Sequence, residues 1–248
     1  MFVGLLATQF DKIILSNIAS LESVGVYSIA QRIAIAIGML MNALGRVYQP
    51  KLYKVLFDLG FNKTAEFIAF YMFVSFVPAL FVILFAQEIF LIFPEGYAWG
   101  YKILVVLSCY HAFLYVCKIN GPQLLFAKKT WLISGLSLAS AIFNIVITYP
   151  LVLAYGAVGA AAGTAFSTLI ISIVNFYFAQ KFAAIKWNYY IIFLDYLFIL
   201  FSAFFILFID NLISSYLIVL AMKILILFLF GLLAYFQGIF NVQNFAKN

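Results

Sequence analysis

The sequence predicts an all-α, polytopic transmembrane helix bundle of about eight spans, and three observations carry that prediction. Of its 248 residues 67% are hydrophobic and only 9% charged, with a mean hydropathy of +1.16, more apolar surface than a water-soluble domain can bury. Apolar stretches of about 20 residues recur, long enough at ~1.5 Å per residue to cross the ~30 Å hydrocarbon layer. The stretches also lack the strict alternation that a lipid-facing barrel strand requires.

The first span is predicted over 1–19. MFVGLLATQ has no Lys or Arg ahead of its apolar part and no cleavage site, so it reads as a helix under way rather than a signal peptide. Ser20 to Ser23 form a polar turn into a second span at 24–47, which Gln49-Pro50 should end. PKLYKVLFDLGFNKTA (50–65) is basic and amphipathic, suited to lying along a membrane surface. The third span, 66–87, is followed by Pro94-Glu95-Gly96 and a fourth at 99–119, closed by Asn120-Gly121-Pro122. Tyr155-Gly156 separates spans at 131–154 and 156–181, and the last two fall at 187–209 and 212–236.

Charge gives the orientation. Arg46, Lys51, Lys54, Lys63, Lys118, Lys128, Lys129, Lys181, Lys186 and Lys247 fall in connections or tail on one side, and only Lys102 on the other. By the positive-inside rule the lysine-rich side and both termini face the cytoplasm, which places the chain in the cell's inner (cytoplasmic) membrane as a multi-pass protein. The net charge of +6 is thereby read as topological, and no nucleic-acid partner is expected. The sequon Asn62-Lys63-Thr64 falls on that side and reads as a chance match. Cys109 and Cys117, in one apolar segment, indicate neither a disulfide nor a metal site.

Ionisable groups inside the spans are the candidate functional residues, because each costs at least ~2.5–3.5 kcal/mol near the bilayer centre without a partner or water. Asp11 and Arg32 are equidistant from a turn centred between residues 21 and 22, so a helical hairpin sets them at one depth, ~12 Å below the outer end. Asp11 is expected to neutralise Arg32 or Lys12 and to leave one uncompensated cation facing the bundle interior. A pair that serves only to fix helix register is the alternative. At ~100° per residue Ser28, Arg32, Asn42 and Arg46 share an arc of about 80° on the second span. Such a stripe suits the wall of a hydrated cavity, although polar contacts between packed helices would produce the same pattern.

In the last hairpin Asp195 reflects onto a level near Lys223, and a structural salt bridge is expected there. His111 suits a helix-to-helix hydrogen bond or a proton relay. Asn144 and Thr148, one turn apart, suit cavity lining or helix glue, and Gly156, Gly159 and Gly163 suit close helix approach. No phosphate-cradling Gly-rich loop, His-Glu metal spacing or Ser/His/Asp set is present, so no cofactor or metal is expected and transport is favoured over catalysis.

Three segments, in this order, resemble a known family. DKIILSN followed by SLESVGVYSIAQRIA resembles the start of the seventh and eighth helices of polysaccharide-lipid flippases, in the superfamily that also holds multidrug and toxin extrusion (MATE) proteins and peptidoglycan-precursor flippases. FPEGYAWGYKILVVLS resembles their loop-and-helix passage, and KKTWLISGLSLASAIFNIVITYPLVLAYGAVGAAAGTAFST their Lys, helix, Asn, Gly-rich hairpin. The likeness spans about residues 5–185 and is carried by order and spacing. It implies that 1–185 is the C-terminal six-helix lobe of a MATE-like transporter, with two additional helices at 186–238 and a tail at 239–248. The first lobe would precede Met1 in the full-length protein. It further implies alternating-access transport of a polyprenyl-pyrophosphate-linked oligosaccharide, such as an O-antigen, lipopolysaccharide or capsule unit, amid membrane lipids. Arg32, Lys12 and Arg46 would then offset the pyrophosphate charge, with Asn42, Ser28 and Asn144 along the cavity. A cation-coupled multidrug exporter of the same fold, or a non-transporting membrane fragment, are the alternatives.

Overall fold

The computed structural model describes residues 11–58, 64–185, 189–209 and 215–236. The first ten residues of the predicted first span, the sequon's Asn62 and Lys63, and the tail lie outside the described residues. Within the described residues every regular element is helical, in keeping with the predicted all-α bundle.

Helix α1 occupies 11–18 and α2 Leu21–Asp58. Ser20 caps α2, accepting the Ser23 amide on its hydroxyl at 3.3 Å, so the predicted polar turn is an N-cap. Next come α3 (Thr64–Leu84), a short α4 (Ala86–Phe90) and a 3₁₀ turn (Glu95–Gly100) behind Pro94. Helix α5 runs Tyr101–Phe126, α6 Thr130–Phe182, α7 Tyr189–Phe208 and α8 Tyr216–Phe236.

Two predicted breaks are overridden. Helix α2 continues through Pro50 and α5 through Pro122, although each proline removes a donor from the helical ladder. Burial beyond the proline holds each helix together. Tyr48 and Leu52 are buried, with Tyr48 against Tyr71 of α3, and Leu124 packs with Leu132, Leu136 and Ala179 of α6. Helix α5 then ends about one turn later in a Schellman motif, where Lys128 takes a left-handed φ of 57° and the Lys129 amide bonds Leu124 O at 2.9 Å.

The predicted break at Gly156 is present. A straight helix of the 53 residues of α6 would be about 80 Å long, more than twice the hydrocarbon layer. Gly156, at φ 56° and ψ −133°, interrupts the run and folds it into a hairpin of two arms, 130–155 and 157–182. The arms approach so closely that a Cβ on Gly159 would collide with Leu151 O, and one on Gly163 with Thr148 Oγ1. Lipid supplies no hydrophobic drive between helices, so this small-residue contact and its hydrogen bonds do the binding.

Helix α5 is the central post, with α2, α3, α7 and the α6 hairpin all packed on it. Helix α8 packs on α3, with Phe230 stacked on Phe73 at 4.8 Å. Three serine hydroxyls inside these apolar helices are satisfied locally: Ser75 donates to Tyr71 O, Ser108 to Leu104 O and Ser202 to Phe198 O. Leu21–Lys54, Glu95–Phe126, Thr130–Phe182 and Tyr216–Tyr235 are each long and apolar enough to cross a membrane, and Ile68–Leu84 and Ile192–Phe208 are shorter apolar helices.

The expected Asp195–Lys223 pair is corrected. Lys223, fully buried, reaches Glu88 Oε1 at 2.7 Å and Gln87 Oε1 at 3.1 Å, both on α4. Helix α7 ends at Phe208 and α8 starts at Tyr216, so the turn centres near 212 and the level of Asp195 falls near residue 229. Lys223 stands six residues away from that level, about 9 Å along the helix, and α4 is nearer.

Candidate functional site

A cavity of about 360 Å³ opens among α1, α2, α5 and both arms of α6. Asp11 and Lys12 come from α1, Tyr27, Gln31 and Arg32 from α2, Tyr110 and His111 from α5, Ser140 and Asn144 from the first arm, and Thr164, Ser167 and Thr168 from the second. Arg32 is exposed on this cavity wall rather than sealed among aliphatic side chains.

Asp11 is buried and held by hydroxyls. Tyr27 donates to its Oδ2 at 3.0 Å and Thr164 at 2.7 Å, while Asn144 Nδ2 donates to Thr164 Oγ1 at 3.2 Å and lies 3.4 Å from Ser167 Oγ. This corrects the expected Asp11–Arg32 or Asp11–Lys12 pair: among the described residues neither cation lies in an ion pair. The hairpin sets depth, but depth alone does not choose a partner. A tyrosine and a threonine packed on the carboxylate satisfy its Oδ2, where a long cationic side chain is free to reach water.

Asp11 Oδ1, Asn144 Oδ1 and Thr148 Oγ1 are buried near this network without a hydrogen bond among the described residues. A carboxylate, an amide oxygen and a hydroxyl are hard donors, the type that holds an alkali or alkaline-earth cation. No cluster of three His, Cys, Asp or Glu occurs among the described residues.

Of the predicted site residues, Asp11, Lys12, Arg32 and Asn144 share this cavity. Asn42 and Arg46 line a second cavity, of about 510 Å³, between α2, α5 and the start of α6. Ser28, half-buried on α2, lines neither. Tyr27, Thr164 and Lys118 were not foreseen. The signal for Thr164 was present, since reflecting Thr148 about Gly156 lands on residue 164. His111 packs on Gly38, where an added Cβ would lie 2.8 Å from the imidazole.

The chain matches no family model. It is 26% identical over 115 residues to the probable low-salt glycan biosynthesis flippase Agl15 of Haloferax volcanii, covering 46% of this chain and 24% of that protein. Among solved structures it resembles the lipid II flippase MurJ in an inward closed conformation, with a TM-score of 0.59 at 18% identity, over 94% of this chain and 52% of that one. The likeness shows the fold, an all-helical bundle shared with that structure. The chain spans about a quarter of the length of the curated relative and half that of the solved structure.

Proposed function

We propose that this chain is the C-terminal lobe of a flippase that moves a polyprenyl-pyrophosphate-linked oligosaccharide, destined for a surface glycan such as an O-antigen or capsule, out of the cytoplasmic leaflet. The observation that carries the reading is the cavity that sets Lys12 and Arg32, neither ion-paired among the described residues, beside a carboxylate already held by Tyr27 and Thr164. With Asp11 engaged by neutral donors, both cations face the cavity with their charge available for an anion. The sugar and diphosphate would pass through this wet space while the prenyl tail stays in lipid. Leaving a negative interior releases about 2.3 kcal/mol per charge at 100 mV, which favours outward movement of an anion.

A preceding lobe would complete the passage, and the lysine-rich connections with both termini would face the cytoplasm. A drug exporter for organic cations is less well supported, because among the described residues Lys12 and Arg32 outnumber the one acid on this wall. The test is Arg32→Ala in the full-length protein, scored by surface glycan at normal protein abundance. Loss of a charged hydrogen-bonding partner is worth about 1.5–3 kcal/mol, so output should fall about 10- to 100-fold. Unchanged output would contradict the reading.

A further inference from the structure

The second cavity carries chemistry that Arg32 does not explain. Lys118 Nζ donates to Asn42 Oδ1 at 2.6 Å, and Arg46 lies one turn beyond Asn42 on the same side of α2. Among the described residues neither cation has an ion-pair partner and no Asp or Glu lines the cavity. Lys118 is half-buried, with one donor directed at a neutral amide. An ammonium has three donors, so an anion beside it would satisfy those remaining. The rest of the wall includes Ile119, Leu125 and Ile133. A cationic rim on an apolar wall fits an amphiphile better than a free ion.

We infer that this cavity is a docking site for the phosphate head of a lipid, with Arg46 and Lys118 as the phosphate ligands and the apolar wall receiving the first carbons of the chain. The inference rests on the reading above for one point only, that the protein handles phosphorylated lipids, and it adds a second site for that head, apart from Arg32.

Two glycines make the test independent of charge. Gly45 and Gly121 line the cavity, and a Cβ built on either meets nothing within 4 Å. Gly45→Leu would therefore fill the site while improving helix propensity. The protein in nanodiscs is titrated with farnesyl pyrophosphate, phosphatidylglycerol and inorganic pyrophosphate, and binding is read by native mass spectrometry. Wild type should bind at least one of the two lipids about tenfold more tightly than inorganic pyrophosphate, because only a lipid uses the apolar wall. Arg46→Ala with Lys118→Ala should weaken that lipid about tenfold or more, Arg46→Lys with Lys118→Arg should largely restore it, and Gly45→Leu should block it with both charges in place. Gly135→Ala, on α6 and lining neither cavity, should leave it bound.

Preference for the isoprenoid ties the site to the transported lipid, whereas preference for phosphatidylglycerol keeps the lipid-phosphate site and assigns it to a resident lipid. Inorganic pyrophosphate binding as tightly as either lipid, or lipid affinity indifferent to both the double alanine and Gly45→Leu variants, overturns the inference. If Arg32→Ala alone abolishes binding, the inference falls and the transport reading stands.

Discussion

At the scale of single residues, Asp11 shows what a sequence discloses about a buried charge and what it withholds. Its shared depth with Arg32 follows from counting outward from the turn, and both side chains do reach one cavity. The partner does not follow, because Tyr27 and Thr164 lie 16 and 153 positions away and only packing brings their hydroxyls within 3.0 and 2.7 Å. Thr164→Val should therefore destabilise the fold by about 1–3 kcal/mol by stripping a donor from a buried carboxylate. Thermal unfolding in detergent would register this, and an unshifted midpoint would mean the hydroxyl is dispensable. Glycines separate as sharply. Gly163→Ala drives a Cβ into Thr148 and should destabilise, whereas Gly135, with nothing within 4 Å, should accept alanine with no loss of melting temperature.

At the scale of elements, all eight predicted helix positions hold helix within the described residues, and the errors lie at two proline boundaries. Local rules placed stops at Pro50 and Pro122, but Leu52 and Leu124 are buried beyond them, and tertiary contact outweighs one lost hydrogen bond. Gly156 behaved as read because its φ of 56° is a conformation that β-carbon sterics reserve largely for glycine. Lys128 shares that region without glycine's freedom, so Lys128→Gly should stabilise the α5–α6 connection by up to about 1 kcal/mol in chemical denaturation. The docking of α8 offers a cleaner discrimination. A double-mutant cycle should find strong coupling between Lys223 and Glu88 and little between Lys223 and Asp195. Glu88→Leu should be the more damaging single change, because it strands a fully buried ammonium whereas Lys223→Met leaves a carboxylate with partial access to water.

At the scale of the whole molecule, composition alone made the membrane class legible, since no arrangement of a 67% hydrophobic chain buries itself in water. The cavity was legible as a polar stripe on α2, yet the stripe serves two cavities rather than one, because Arg32 and Arg46 stand 14 residues apart, about 21 Å along a helix. Which residues complete each wall was not legible, as they come from α5 and the α6 hairpin and meet α2 only through packing. The central claim is that the cations of α1 and α2 line a water-filled passage with an appetite for anions. The direct measurement places cysteine at position 35, on the same cavity wall as Arg32 and one turn along α2, in a background lacking Cys109 and Cys117, and follows its reaction with anionic and cationic membrane-impermeant thiol reagents in native membranes. The account expects position 35 to react, faster with the anionic reagent while Arg32 is present, and to be protected by a polyprenyl pyrophosphate. Failure to react with either, while a cysteine at the exposed cavity-wall position Asn42 is modified, would contradict it.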